Sequence, residues 1–188
     1  TSSFTNTILS PNLSIDIVDS KDCQRFSGVI INNITVSEST SFIKNKLIAL
    51  GLKPINNIVD ITNYVMHEIG QPLHAYDRNK ISSNTIKIQK LKKGTKFTTL
   101  DGIERELGDN DLMICDDNTP MCLAGVFGGN FHGVSENTTS IFLESAFFNP
   151  VSVRKSAKYH SLNTDSSYRF ERGVDIDNVE YALKRSAS

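Results

Sequence analysis

Apolar positions follow two rhythms along the chain, and the change of rhythm outlines the elements. Residues 1–14 are polar and rich in Ser, Thr and Asn, which predicts a flexible lead-in with order beginning near Ile15. Short β-branched and aromatic runs at residues 15–18 and 26–34, separated by a polar link, predict two strands that pair with each other. Ser37 to Ser41 then offer N-caps before Phe42, Ile43, Leu47 and Leu50, whose spacing is helical, with Gly51 at the stop. After Pro54, the residues Ile58, Ile61, Val65, Met66 and Ile69 lie near one face of a second helix that ends at Gly70. Gln71-Pro72 makes a rigid corner, and His74 emerges just beyond it.

The middle of the chain has the two-residue rhythm of sheet. Residues 86–91 alternate, and residues 97–100 meet Ile103 across Asp101-Gly102, a tight-turn signal. Residues 112–115 and 121–126 are two more strands joined through Asp116-Asp117-Asn118. A glycine cluster, Gly125-Val126-Phe127-Gly128-Gly129, can approach a ligand closely, but no Gly-Lys-Ser/Thr follows to make it a nucleotide loop. Residues 141–148 form the most apolar strand, with Glu144 inside it. Asn149-Pro150 predicts a cap and first helical residue for a helix over 151–159. A polar link at 160–167 follows, and residues 174–184 return to helix.

Composition narrows the function classes. With 188 residues, 22% charged and 38% hydrophobic, the chain can bury a core of its own. A net charge of -1 excludes a surface that grips nucleic acid all round and leaves room for local basic patches. No apolar run approaches the roughly 20 residues that cross a bilayer, and the first residues lack a basic start and apolar core, so the expected location is cytoplasmic. Cys23, Cys115 and Cys122 contain no C-x-x-C pair and are expected to be reduced, buried thiols. The absence of an initiator Met and the helical reading of the last residues suggest a piece of a longer chain.

Glu144 is the residue whose setting asks for a reason, because a carboxylate in an apolar strand needs a partner or a task. The structural alternative is an ion pair with Arg154 or Arg169. For His74 the alternatives are site chemistry and a ring that only fastens its own corner. His67-Glu68 suggests a metalloprotease motif that fails, because Gln71 stands where the second His belongs and Gly70 with Pro72 ends the helix; no metal site is expected. The basic runs Lys87, Lys90, Lys92, Lys93, Lys96 and Arg154, Lys155, Lys158, Arg169, Arg172 fit phosphate contacts and solvated faces equally well.

Three strings in order, NNIVDITNYVMHEIGQPLHAYD, GVFGG with HGVSENTTSIFLESAFFNP, and SLNTDSSYRFERGVD, resemble the B3/B4 module of the bacterial phenylalanyl-tRNA synthetase beta subunit, over roughly residue 26 to the end. The resemblance implies an α+β fold, a mixed, largely antiparallel sheet flanked by helices, with residues 15–188 as one editing domain of a longer beta subunit. It implies hydrolysis of tyrosine wrongly esterified to tRNA(Phe), with the synthetic site elsewhere. Glu144 would read the phenol as an ionised acceptor. His74 would lie near the ester to orient water or assist proton transfer, and Thr164 would offer a hydroxyl, the two forming the catalytic set. Asn63 would line the pocket, the Gly128 amide would border its phenol end, Ser166 would limit its width and Lys53 would reach the terminal adenosine. No cofactor is implied for this piece, whereas ATP and Mg2+ are implied for the full synthetase. Implied partners are tRNA(Phe), mischarged tyrosyl-tRNA(Phe), the rest of the beta subunit and an alpha subunit in a heterotetramer, with no membrane and no DNA. The alternative function is a non-catalytic tRNA-binding or subunit-packing module.

Overall fold

The architecture is a computed structural model describing residues 13–188, so the expected lead-in lies, apart from Leu13 and Ser14, outside the described residues. In chain order come β1 (Ser14–Ile17), β2 (Cys23–Asn32), α1 (Ser41–Ala49), α2 (Asn57–Ile69), β3 (Leu73–Asp77) and β4 (Thr85–Lys90). These are followed by β5 (Lys96–Thr98), β6 (Glu104–Glu106), β7 (Leu112–Asp116), β8 (Thr119–Leu123) and β9 (Phe127–Gly128). The last elements are β10 (Ser140–Phe148), α3 (Pro150–Tyr159), α4 (Asp165–Phe170) and α5 (Val179–Ala187). The fold is α+β: one sheet has the order β1-β4-β7-β8-β9, a second has β2-β10-β3, and β5 pairs with β6. All pairings are antiparallel except β1 with β4.

The predicted pairing of the first two strands is not found. β1 runs parallel to β4, where Ile15 and Ile17 stand opposite Ile86 and Ile88, while β2 pairs with β10 over its whole length. Matching apolar faces across long sequence separations outweighed nearness in the chain, because β2 carries apolar residues on both faces and fits a strand that is itself covered on both sides.

That strand is β10, the centre of its sheet. On one face Phe142, Ala146 and Phe148 join the larger core with Phe26 and Tyr76. On the other, Ile141 and Leu143 join a smaller core with Ala75 and Leu183. Burial on both faces explains why the sequence reads as continuously apolar. Each large side chain buried here stabilises the fold by about 1.5–3 kcal/mol. Strand alternation puts Glu144 on the same face as Phe142 and Ala146, inside the larger core.

The corner that delivers His74 is fixed at both ends. Asn56 caps α2 by accepting from the Val59 amide, and Gly70 ends the helix in the left-handed conformation at φ 79 that a side chain disfavours. Gln71 is fully buried, and its side-chain amide donates to the backbone carbonyls of Pro72 and Ala146, which ties the corner to β10. Asn149 caps α3, with Pro150 at its start, as the sequence predicts.

The polar link expected over 160–167 is shorter, because α4 begins at Asp165. Thr164 is its N-cap, in a reciprocal box with Ser167, and the six-residue helix offers no apolar periodicity by which to recognise it.

Candidate active site

A cavity of about 290 Å³ opens between α2, β3, the β8–β9 segment, β10 and the start of α4. Its lining includes Asn63, His74, Gly128, Glu144, Thr164 and Ser166, so six of the seven residues singled out from the sequence converge from segments spread over a hundred residues. Lys53 is the exception: it sits exposed in the connection between α1 and α2 and is not part of the lining.

Glu144 is 5% exposed, and the structure gives it neither arginine partner considered from sequence. Arg169 instead meets Asp165 and donates to Nδ1 of His67. The Glu144 partner is Tyr76, whose phenol donates to Oε2 at 2.5 Å. No group among the described residues bonds Oε1, and the side chain borders the cavity. Burial pushes this carboxyl up to about 8, against the opposing pull of the Tyr76 bond.

His74 stands directly across from Glu144 in the β3–β10 register, so their side chains emerge side by side on one face. Its ring packs edgewise on Tyr76 at 4.5 Å between centroids. Burial holds the imidazole down at about 4, leaving it neutral at physiological pH. Gly128 lies flat against this ring: a Cβ there would be 2.7 Å from Cε1 of His74 and 2.9 Å from Nε2. The glycine is needed for space at this position, because any side chain would displace the imidazole.

The N-terminus of α4 forms the wall beside the glycine loop. The Thr164 hydroxyl donates to the Val126 carbonyl at 2.8 Å and accepts from the Ser167 amide at 3.0 Å. Its proton is thus committed to holding α4 on the loop. The Ser166 hydroxyl donates to the Gly125 carbonyl at 3.2 Å, a second tie between the same segments. Asn63 projects from α2, half-buried in the lining, and no hydrogen bond to its side-chain amide occurs among the described residues. Tyr76 is the residue that the sequence reading missed. Its signal was the alternation of β3, which places it two residues from His74 on the same face.

Lys87, Lys90, Lys93 and Lys96 each pair with nearby carboxylates, Asp117, Asp22 with Asp19, Asp109 and Glu104 respectively. Cys23, Cys115 and Cys122 are free and buried. Among the described residues no group of three or more His, Cys, Asp or Glu could hold a metal ion, and no helix is long and apolar enough to cross a membrane.

Fold and site together define a small α+β module with a pocket that has polar groups at its walls. The chain belongs to the B3/4 domain family, which matches residues 22–188. It is similar to phenylalanine–tRNA ligase beta subunits. The identity is 54% over 182 residues to that of Porphyromonas gingivalis, covering 96% of this chain and 22% of that protein. It is 50% over 176 residues to that of Bacteroides fragilis, with 94% and 22% covered. For Aquifex aeolicus it is 50% over 165 residues, with 88% and 21% covered. The chain thus spans about a fifth of the length of these relatives. A solved N-terminal fragment of the phenylalanyl-tRNA synthetase beta subunit from Pyrococcus horikoshii overlaps 80% of this chain and 48% of its own, at 12% identity and a TM-score of 0.49.

Proposed function

We propose that residues 15–188 are the editing domain of a phenylalanine–tRNA ligase beta subunit, which hydrolyses the ester of tyrosine wrongly joined to tRNA(Phe). The observation that carries this reading is the pairing, on adjacent strands and one face, of a buried carboxyl with an unbonded oxygen and a neutral imidazole. Tyrosine exceeds phenylalanine by one hydroxyl, and an apolar pocket rejects an added hydroxyl by only about a hundredfold. A second pocket that requires the hydroxyl supplies the missing discrimination. Oε1 of Glu144 offers the phenol a partner inside the core, whereas a phenylalanine ring would cover that oxygen and leave it unpaired, at a cost of about 1–3 kcal/mol.

In this reading His74 accepts a hydrogen bond from water and orients it toward the ester carbonyl carbon. Water adds its oxygen to that carbon, the bond to the ribose oxygen breaks, and the ribose oxygen takes up a proton. The low basicity of a ring held at about 4 favours orientation over full proton abstraction. The Asn63 amide can hold the ester or the amino group. Thr164 acts through the α4 cap, with only lone pairs left for substrate. ATP and Mg2+ fit no cluster among these residues and belong, in this reading, to the synthetic site of the complete ligase, in which the alpha subunit and tRNA(Phe) are the partners. The ion pairs along the lysine run weigh against a purely tRNA-gripping module.

The test is deacylation of tyrosyl-tRNA(Phe) and phenylalanyl-tRNA(Phe) by the complete ligase and by its His74→Ala and Glu144→Ala variants. Rapid loss of the tyrosyl ester, slowed at least about tenfold by either substitution, is expected. A parental enzyme that leaves the tyrosyl ester intact, or variants that clear it at the parental rate, would overturn the reading.

A further inference from the structure

A carboxyl group has two oxygens to offer, and in this pocket one already carries a phenol. We propose that Tyr76 is a positioning residue for substrate selection: its hydroxyl occupies Oε2 of Glu144, so that Oε1 alone faces the cavity and a substrate phenol docks there as the counterpart of the protein's own. The inference rests on the tyrosyl-ester reading and adds to it the residue that gives Glu144 its direction.

The placement of Tyr76 supports this role. It is fully buried and lies outside the cavity lining, so it acts from behind Glu144 and does not touch the ligand. In the register of β3 and β10 it stands opposite Phe142, diagonal to Glu144, where a long side chain reaches its neighbour's carboxyl. Its ring is fixed by Phe142 at 6.0 Å and by the edge of His74 at 4.5 Å, and Phe142 is itself stacked on Phe26 at 6.5 Å. One side chain therefore orients the carboxyl by a hydrogen bond and the imidazole by packing.

The electrostatics agree. The other titratable groups around the carboxyl are His74 from β3, Cys23 from β2 and Cys122 from β8. Burial leaves all three neutral near pH 7, lowering the imidazole and raising both thiols. Tyr76 is thus the one hydrogen-bond donor to Glu144 among the described residues. Without it, the carboxyl would be free to turn either oxygen toward the cavity or away from it, and it would hold its proton to still higher pH.

Tyr76→Phe in the complete ligase tests the proposal, because the ring and its packing are kept while the donor is lost. For tyrosyl-tRNA(Phe) deacylation, KM is expected to rise roughly tenfold with kcat little changed. The preference over phenylalanyl-tRNA(Phe) should fall by the same factor, and the midpoint of the pH profile should move upward. Adding Tyr76→Phe to Glu144→Ala should cost little beyond Glu144→Ala alone, since Ala leaves Tyr76 no acceptor to orient and one residue acts through the other. A fluorinated tyrosine placed at position 76, a stronger donor that preserves the packing, should move the midpoint downward. This replacement decides the matter should the Phe variant fail to fold. An unchanged KM, preference and pH profile, or additive losses in the double variant, would overturn the role of Tyr76 while the parental enzyme still edits. A parental enzyme that does not cleave the tyrosyl ester would overturn the editing reading, and this inference with it.

Discussion

Asp111 and Glu144 are both buried carboxyl groups, 2% and 5% exposed, yet their surroundings differ in kind. Asp111 accepts from the Gly108 amide at 2.7 Å and the Ser156 hydroxyl at 2.6 Å, and it meets Nε2 of His160 at 2.7 Å. Asp116, 4% exposed, is treated the same way by the amides of Ser82 and Ser83 and the Ser82 hydroxyl. Glu144 has the Tyr76 phenol and nothing else among the described residues. The carboxyls that knit loops together have both oxygens satisfied by the protein, as burial demands. The one that borders the cavity keeps an oxygen in reserve. Their acidities follow: burial would raise the Asp116 carboxyl, but the Ser83 and Ser82 hydrogen bonds outweigh it and leave it below its ordinary value. A single bond cannot do this for Glu144, which stands at about 8.

This contrast is broken most severely at Asp111. Asp111→Ala strands a buried imidazole, a hydroxyl and a backbone amide together, and should cost about 3–5 kcal/mol, read as a lower denaturant midpoint and faster hydrogen exchange in α3. Asp116→Asn keeps the size but replaces one acceptor by a donor facing the Ser82 and Ser83 amides. A loss of about 1–3 kcal/mol is expected by the same measurements. Glu144→Gln should change stability by less than about 1 kcal/mol, because Gln can still accept from Tyr76 and no charge remains to be buried. Its effect belongs to function, with cleavage of the tyrosyl ester slowed about tenfold in single-turnover assays, because one of the two carboxyl oxygens becomes an amide nitrogen. A Glu144→Gln protein as unstable as Asp111→Ala would place Glu144 among the structural carboxyls and remove the contrast.

The sharpest difference in sign lies in pH. The folded protein holds the Glu144 proton to about 8 against an ordinary value of 4.5, so the stability from this group is fully present below about 4.5 and is lost as pH rises through about 8. For Asp116 the sign is opposite: its folded value is depressed, so its contribution is present above the ordinary carboxylate range and is lost as pH falls below it. Denaturation across this range should show Glu144→Gln gaining on the parent toward alkaline pH and Asp116→Asn losing least at acid pH. An identical alkaline slope for Glu144→Gln and parent would mean that the carboxyl is already ionised at neutral pH.

Part of the candidate site was legible in the sequence where its signals are local, at His74 and Glu144, while its other residues came from the family resemblance. Gly70 before Gln71-Pro72 marks where a helix ends and a corner begins, and β3 and its His74 follow from it. A glutamate inside the apolar run that became β10 announces a buried carboxyl without any knowledge of its partner. Helix caps and strand alternation depend on a few neighbouring residues and can be read wherever they occur. The strand pairings could not: β1 and β2 part company because their faces match β4 and β10, which lie far along the chain. Thr164 reads as a free hydroxyl in the sequence, whereas α4 and the Val126 carbonyl take it up, and no local signal says that Lys53 lies outside the cavity lining. The Tyr76 bond to Glu144 spans 68 residues, and the carboxyl's proton affinity depends on the whole core that buries it. The sequence by itself determined which groups the chain possesses and where the elements with strong local signals lie, such as the end of α2 at Gly70 and the start of α3 at Pro150. Which groups meet, and in what charge state, was decided by tertiary packing, because desolvation and hydrogen bonding belong to the neighbours in space and not to the neighbours in the chain.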